Sequence, residues 1–190
     1  IYIWGILNEC ASDTAYGREC YKTQLELIKS LDVTRPRSFS SCRFKTDICF
    51  DLVDVVSYNI YPKWYHNTPV AMYLDDLYKW VQTTGGAGKP FLITEVGAGA
   101  IYGYRTPAKV KWSEEYQVLA LEEQLGAILS YKDCSGVYIW QICDVRVTND
   151  WWNTRPRTMN NKGIVDEYRR PKLSYETVKR IFGSVDTYRK

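Results

Sequence analysis

Residues 90–99 read Pro90-Phe91-Leu92-Ile93-Thr94-Glu95-Val96-Gly97-Ala98-Gly99, and this stretch decides the fold. A turn signal, Gly88-Lys89-Pro90, precedes a short apolar run that ends in a carboxylate and then in small, flexible residues. A strand that is covered on both faces reads as a nearly continuous apolar run, as in parallel sheets. In barrels of alternating strands and helices, the chemistry lies at the carboxyl ends of the strands. Glu95 is therefore a candidate functional residue, the alternative being a carboxylate that merely ends a strand.

A second stretch of the same design opens the chain. It reads Ile1-Tyr2-Ile3-Trp4-Gly5-Ile6-Leu7-Asn8-Glu9. Its branched and aromatic residues predict a strand from Ile1 to Leu7. Because parallel strands end at the same edge of a sheet, Glu9 and Glu95 are predicted to lie at the same end of two strands.

Apolar periodicity predicts helices between these strands. Apolar residues recur at i, i+4, i+7 and i+11 from Val70 to Val81, which indicates one buried helical face. The other predicted elements are helices near 12–31, capped by Ser12-Asp13, and near 113–128, a final helix with Tyr175, Val178 and Phe182 facing inward, and strands at 37–42, 53–60 and 137–142.

The alternation of strands and helices predicts a parallel sheet with right-handed crossovers. Five strands do not close the usual barrel of eight, yet every long predicted loop follows a strand, which is typical of such a barrel. We interpret residues 1–190 as an α/β chain, the carboxyl-terminal part, about five strands, of an eight-stranded (β/α) TIM barrel. The chain opens inside a strand without an initiator methionine, so we expect it to be a piece of something longer.

Composition narrows the classes of partner. The 25 basic and 22 acidic residues leave a net charge of +3 with no basic run, so no nucleic acid is expected. There is no apolar run of membrane-spanning length, so no membrane partner is expected. Six cysteines without a CxxC pair, and a single histidine, argue against a metal site, and we expect no cofactor. We expect all six cysteines to be reduced thiols, which favours a cytoplasmic location, although the compartment stays unknown.

Six blocks in order resemble the catalytic barrel of glycoside hydrolase family 2, with the β-glucuronidases as the closest group within it. The resemblance covers essentially the whole chain. The blocks are WGILNE at 4–9, YNIYPKWY at 58–65, ITEVGA at 93–98, WSEEYQ at 112–117, WQ at 140–141, and NNKGI at 160–164 with RPK at 170–172.

The resemblance implies a retaining mechanism by double displacement. Glu9 matches the general acid/base, and Glu95 matches the nucleophile that forms the glycosyl-enzyme. This mechanism requires the two carboxyl groups to lie about 5 Å apart. The resemblance also implies a set of sugar-binding residues: Asn8 near the 2-hydroxyl, Tyr61 beside the nucleophile, Trp64 and Tyr65 in the sugar pocket, and Trp140 as its floor.

The resemblance implies a uronic acid as the substrate. In the family, an asparagine and a lysine separated by one residue, here Asn160 and Lys162, hold the carboxylate of glucuronic acid. An ammonium and an amide donor form charge-assisted hydrogen bonds to an anion, whereas a neutral galactose gains nothing from a lysine. We expect Arg155 or Arg157 to add charge to this pocket. The sequence departs from the family at Val96 and at 142–144, which puts the exact sugar in doubt.

Three alternatives stay open beside a β-glucuronidase. The first is a β-galactosidase or related enzyme for a neutral sugar, and the second is a carbohydrate-binding module that does not cleave its ligand. The third is an inactive fragment, since the resemblance implies that earlier strands and amino-terminal sandwich domains are absent. The open sheet edges of such a fragment invite pairing with another copy, that is, a homo-oligomer. In each reading except the last, the partner is a carbohydrate, a β-glycoside.

Overall fold

The computed structural model describes residues 1–185 and confirms a five-stranded parallel sheet with the order β1-β2-β3-β4-β5. In chain order, the strands and α-helices are β1 Trp4–Asn8, α1 Ala15–Leu31, β2 Arg37–Ser41, β3 Val56–Asn59, α2 Val70–Thr83, β4 Phe91–Glu95, α3 Glu114–Ser130, β5 Cys134–Val137, β6 Val145–Arg146, β7 Met159–Asn160 and α4 Leu173–Gly183. Short 3-10 helices occupy Phe50–Leu52, Asn149–Thr154 and Pro156–Thr158.

The chain divides into two compact units. The first unit consists of Ile1–Ile60, Ala71–Thr94 and Tyr131–Tyr138, and the second of Tyr61–Val70, Glu95–Ser130 and the residues from Ile139 on. The first unit holds nearly all of the parallel sheet with α1 and most of α2. The second unit holds α3, α4, the long loops that follow β3, β4 and β5, and a small antiparallel ribbon of β6 and β7 that the sequence did not predict.

The first unit is built as its apolar pattern predicts. On α2, Leu74, Leu77 and Val81 are buried as predicted, and so is Val70, the residue of this helix that belongs to the second unit. On α1, Tyr21 and Leu25 are buried, and the Tyr21 ring lies 4.4 Å from that of Phe39 on β2. The parallel register pairs Phe91 of β4 with Cys134 of β5. Apolar burial on the helices therefore fixes them against the sheet and leaves the strand ends for polar residues.

Two predictions at the amino-terminal end are wrong in detail. Strand β1 begins at Trp4 rather than at Ile1, and the N-cap of α1 is Thr14 rather than Ser12-Asp13. The Thr14 hydroxyl accepts the Gly17 N–H at 3.0 Å, as an N-cap residue does. Ser12 is instead buried, because its hydroxyl donates to the buried carboxylate of Asp47.

The last strand of the sheet lies earlier than predicted. The sequence indicated 137–142, but β5 spans Cys134–Val137. Just beyond β5, Tyr138 N–H still donates to the carbonyl of Ile93 on β4 at 2.9 Å. Further on the backbone pairs elsewhere: Gln141 N–H donates to the carbonyl of Lys162 at 3.1 Å, and Val165 N–H donates to that of Ile142 at 2.9 Å. The residues from Ile139 on therefore belong to the second unit.

Polar side chains, which an apolar pattern does not reveal, complete the core of the second unit. On α4, Val178 is buried as predicted, whereas Phe182 is 36% exposed and the prediction that it faces inward is wrong. Ser174 is buried instead, and its hydroxyl donates to Oε1 of Gln117 at 2.7 Å. Along the described part of the chain, no helix combines the length and the apolar character that a membrane crossing needs.

Candidate active site

In the first unit, Glu9 follows directly on β1 and is held by an amide. Nδ2 of Asn59 donates to Oε1 of Glu9 at 2.9 Å and to Oδ1 of Asn8 at 2.9 Å. The hydroxyl of Thr94 donates to Oδ1 of Asn59 at 2.8 Å, which fixes the orientation of that amide. All these residues stand at or just beyond the carboxyl ends of strands, where the barrel pattern predicts functional groups.

Backbone strain accompanies this arrangement. Glu9 has a φ of +54°, in the left-handed region that residues with a side chain seldom occupy. Such a conformation costs on the order of 1–3 kcal/mol and persists only where the surroundings impose it. Glu9 is exposed, so its carboxylate is held in direction by Asn59 while it stays open to water.

In the second unit, Glu95 ends β4 and accepts a hydrogen bond from the hydroxyl of Tyr61. The carboxylate is nearly withdrawn from water, since Glu95 is 8% exposed. The loop beyond it requires glycine, because a Cβ on Gly97 would lie 2.3 Å from the carbonyl oxygen of Trp140. The N–H of Trp140 donates to the carbonyl of Val96 at 2.8 Å, so the tryptophan is fastened next to the segment that follows Glu95.

Lys162 is a buried cation among aromatic rings. It is 4% exposed, and its Nζ donates to the hydroxyl of Tyr65 at 3.0 Å. Nζ also lies 4.9 Å from the ring centroid of Tyr61 and 5.6 Å from that of Trp64. Burial lowers the pKa of the Lys162 ammonium, and the nearby Tyr65 and Glu95 partly oppose that change. The second unit thus brings an ammonium to the same aromatic cluster that contacts Glu95.

A second cation converges on the same hydroxyl. A guanidinium nitrogen of Arg155 donates to Tyr65 at 3.1 Å, so one phenol oxygen accepts from two cations. Burial opposes ionisation of Tyr65, but Lys162 and Arg155 outweigh it and lower the pKa of the hydroxyl. The other arginine considered, Arg157, pairs with Glu167 at 2.6 Å instead. The two positive charges beside one neutral oxygen repel each other, and a bound anion would reduce this repulsion.

Buried polar groups hold the segment that carries Lys162. Nζ of Lys172 donates to Asp144 at 2.8 Å and to the carbonyl of Asn161 at 3.0 Å, and the N–H of Gly163 donates to Asp144 at 2.9 Å. Burial raises the pKa of the Asp144 carboxyl to about 6 against the opposing effect of Lys172. Oδ1 of Asn160 turns back to accept the Lys162 N–H at 3.3 Å. The backbone on both sides of Lys162 is therefore fixed from within the unit.

Comparison with known proteins identifies the family. A sequence profile described as "Glycosyl hydrolases family 2, TIM barrel domain" matches residues 1–187. The chain belongs to this family. The resemblance and the barrel fold that the sequence predicted are thereby confirmed.

Relatives of the chain include enzymes named for uronic acids. The β-glucuronidase of Rattus norvegicus is 32% identical over 186 residues, which cover 92% of this chain and 27% of that protein. The crystal structure of a GH2 β-galacturonidase from Eisenbergiella tayi bound to galacturonate is 74% identical, with a TM-score of 0.96, and covers 97% of this chain and 34% of that one. A β-D-glucuronidase from Dictyoglomus thermophilum has a TM-score of 0.87 at 26% identity, over 100% of this chain and 33% of that one. The chain thus spans about a quarter to a third of the length of these relatives.

Within this family 2 domain, the predicted site residues fall into the two groups described above. Asn8 and Glu9 share Asn59 in the first unit, and the second unit joins Tyr61 to Glu95 and Tyr65 to Lys162. Trp140 is exposed, whereas Trp64 is buried and packs with Trp112 and Tyr116. No role was predicted from the sequence for Asn59 or Thr94. Their signal was a polar residue at the end of a predicted parallel strand. No group of three or more potential metal-binding side chains occurs among residues 1–185.

Proposed function

We propose that this chain is part of a retaining exo-glycosidase that removes a terminal β-linked uronic acid. The observation that carries the proposal is the convergence of Lys162 and Arg155 on Tyr65, in the aromatic cluster whose Tyr61 contacts Glu95. A carboxylate of the substrate would accept hydrogen bonds from both of these cations. Family membership supports glycoside cleavage as the chemistry.

In the first displacement, Glu95 attacks the anomeric carbon and the bond to the leaving oxygen breaks. Tyr61 donates a hydrogen bond to the attacking carboxylate and fixes its direction. Glu9 gives its proton to the leaving oxygen, which departs as an alcohol. The product of this step is a covalent glycosyl-enzyme on Glu95.

In the second displacement, Glu9 acts as a base. It takes a proton from a water molecule, whose oxygen attacks the anomeric carbon and releases Glu95. The exposure of Glu9 supports this role, because the residue must exchange its proton with water once in each cycle. Asn59 keeps the carboxylate pointing in one direction throughout.

Recognition of the sugar rests on charge. Hydrogen bonds from an ammonium and a guanidinium to a carboxylate are about twice as strong as neutral ones. A neutral sugar would leave both cations without an anion, so the β-galactosidase alternative gains nothing from this pocket. A carbohydrate-binding module would need the cations and the aromatic rings but not Glu9 or Glu95.

Two uronic acids are candidates. The β-glucuronidase that the sequence predicted is supported by relatives at about one third identity, such as that of Rattus norvegicus. A β-galacturonidase is the second candidate, supported by the relative from Eisenbergiella tayi at 74% identity. Both sugars carry the carboxylate that Lys162 and Arg155 would bind, and they differ in the configuration of one ring hydroxyl.

Chromogenic substrates test the proposal on the full-length protein. We expect hydrolysis of nitrophenyl β-glucuronide or β-galacturonide with retention of the β-configuration, and little hydrolysis of the β-galactoside. Lys162→Met should lower kcat/KM for the uronide about 10- to 100-fold, since a hydrogen bond to a charged group contributes about 1.5–3 kcal/mol. Lys162→Arg keeps the charge and is the matched control. A wild-type preference for the galactoside, or a product of inverted configuration, would overturn the proposal.

The isolated chain of 190 residues is a separate case. It corresponds to about a quarter to a third of each relative, and we propose that it is inactive on its own. Assay of the purified chain beside the full-length protein checks this directly, and measurable turnover by the chain would contradict it.

A further inference from the structure

The second unit contains a cavity of about 290 Å³ whose lining shares Tyr65 and Arg155 with the proposed uronate site but does not include Lys162. Its walls include three tryptophans, Trp64, Trp112 and Trp151, together with Tyr65, Lys111 and Arg155. Trp64 and Trp112 meet edge to face, with ring centroids 4.8 Å apart. Ligand pockets usually measure roughly 300–1,000 Å³, so this cavity has room for one small ring system.

The charged side chains that line the cavity are all positive. Nζ of Lys111 donates to the carbonyl of Trp64 at 2.7 Å, and Cζ of Arg155 lies 5.5 Å from the ring centroid of Trp151. The residues that line the cavity include both cations and no carboxylate. A cavity of this kind favours a flat-faced ligand that carries negative charge.

Arg155 has donor capacity left over. One of its terminal nitrogens donates to Tyr65, but the buried Nε has no hydrogen-bond partner among the described residues. A buried donor without a partner costs free energy, and an acceptor from a ligand would remove that cost. Tyr65 accepts a hydrogen bond from Lys162, and both Tyr65 and Arg155 line the cavity. These two residues therefore lie between the proposed uronate site and the cavity.

We propose that this cavity binds a second sugar ring that carries a carboxylate, adjacent to the uronic acid that is cleaved. The substrate class would then be an acidic di- or oligosaccharide. Trp151 would stack on the ring of the second sugar, and Lys111 with Nε of Arg155 would hold its carboxylate. The inference rests on the proposed function and specifies its substrate.

The test compares substrates that differ only in the second ring. The full-length protein is assayed on a nitrophenyl β-uronide, on a β-linked diuronide, and on a disaccharide of the same uronic acid with a neutral hexose. Trp151→Ala and Lys111→Met should each lower kcat/KM for the diuronide about tenfold, a typical cost of one stacking or charged contact. Lys111→Met should stay within about twofold of wild type on the nitrophenyl uronide, whose second ring carries no carboxylate. Trp151→Ala should lower that activity too, because the nitrophenyl ring stacks on the tryptophan in place of the second sugar.

Matched controls come from neighbouring residues. Trp152→Ala and Lys109→Met remove a tryptophan and a lysine that do not line the cavity, and both should leave all three activities unchanged. Equal losses from Lys111→Met on the diuronide and the nitrophenyl uronide, or no loss on either, would overturn the inference. A neutral disaccharide that is cleaved as well as the diuronide, with the same response to Lys111→Met, would also overturn it.

A binding measurement distinguishes a failure of this inference from a failure of the proposed function. Calorimetry of diuronide binding to full-length Glu95→Gln measures occupancy without turnover, and Lys111→Met in that background should weaken binding about tenfold. If none of the uronides is hydrolysed by the wild type, the proposed function fails, whereas the cavity is judged by calorimetry alone. If binding is unaffected by Trp151→Ala and Lys111→Met, the cavity is not the site even in an active uronidase.

Discussion

The surroundings of Glu9 in the first unit and of Glu95 in the second are opposite in character. Glu9 is exposed and contacts the neutral amide of Asn59, at a backbone position of positive φ. Glu95 is nearly buried and contacts the hydroxyl of Tyr61, in a cluster that also holds the ammonium of Lys162. The difference matches the demands of double displacement, because one carboxyl group must exchange protons with water while the other must stay fixed and ionised.

The contacts that hold the functional residues in place also differ between the two units. In the first unit, side chains at strand ends hold the carboxylate directly, through Asn59 and Thr94. In the second unit, long loops carry the polar groups, and buried contacts such as that between Lys172 and Asp144 hold the loops. Loops without regular backbone pairing need such internal partners, because a buried N–H or carbonyl group is costly when it has none. A change in one unit should therefore produce a different failure from a change in the other.

The largest expected effect comes from exchanging the two carboxylates for amides. Glu95→Gln in the full-length protein should lower kcat by at least about four orders of magnitude, because the proposed nucleophile is lost. Glu9→Gln should lower it by about two to four orders, the usual contribution of a general acid/base. With a good leaving group such as dinitrophenol, Glu9→Gln should recover part of the first step, whereas Glu95→Gln should not.

Burst kinetics on the dinitrophenyl uronide measure this difference. A burst is expected for Glu9→Gln only, since its glycosyl-enzyme forms faster than it is hydrolysed. Circular dichroism of both variants checks that the fold is retained. A burst from Glu95→Gln with none from Glu9→Gln would reverse the assignment of the two roles.

The features of the two sites that the sequence predicted are those that depend on neighbouring residues in the chain. Glu9 and Glu95 each end a local apolar run, so their positions followed from the chain around them. The contact of Lys162 with Tyr65 joins residues 97 positions apart, and only the resemblance to a family suggested it. The pair of Lys172 and Asp144 was not predicted, because no local pattern marks a lysine that will be buried.

The second expected effect concerns the buried ion pair of Lys172 and Asp144, which holds the loop of the second unit that carries Lys162. Lys172→Met leaves the buried Asp144 without its cation, and breaking a buried pair in this way costs about 3–5 kcal/mol. Lys179→Met on α4, the helix that Lys172 caps, is the control, since the Lys179 side chain is 70% exposed and its ion pair with Glu176 is 3.9 Å long. Urea unfolding of the full-length protein measures both variants.

Hydrogen exchange then shows which backbone amides lose protection in the variant. Lys172→Met should increase exchange in the loop around Lys162 and leave the amides of β1 and β3 in the first unit as they were. Equal stability of Lys172→Met and Lys179→Met would show that the pair does not hold the loop.

The third effect is a change in the pH dependence. Lys162 must be protonated to bind a uronate carboxylate, and burial lowers its pKa from the usual value of 10.5. As the pH rises through this lowered pKa, the ammonium loses its charge, so kcat/KM for a uronide should fall at a pH below 10.5. Lys162→Arg should move that fall to higher pH, because arginine stays protonated. An alkaline fall that Lys162→Arg leaves in place would belong to another group.

The smallest expected effect tests the first unit through Asn59. Asn59→Ala removes the hydrogen bond to Glu9 and the one to Asn8, and a single neutral hydrogen bond contributes about 0.5–1.5 kcal/mol. We expect kcat to fall about tenfold with KM little changed, since Asn59 directs the carboxylate rather than binding the sugar. Thr94→Val, which loses only the contact that orients Asn59, should show the same loss of kcat in weaker form. If Asn59→Ala raised KM and left kcat unchanged, Asn59 would be a sugar-binding residue, and the contrast between the two carboxylates would rest on burial alone.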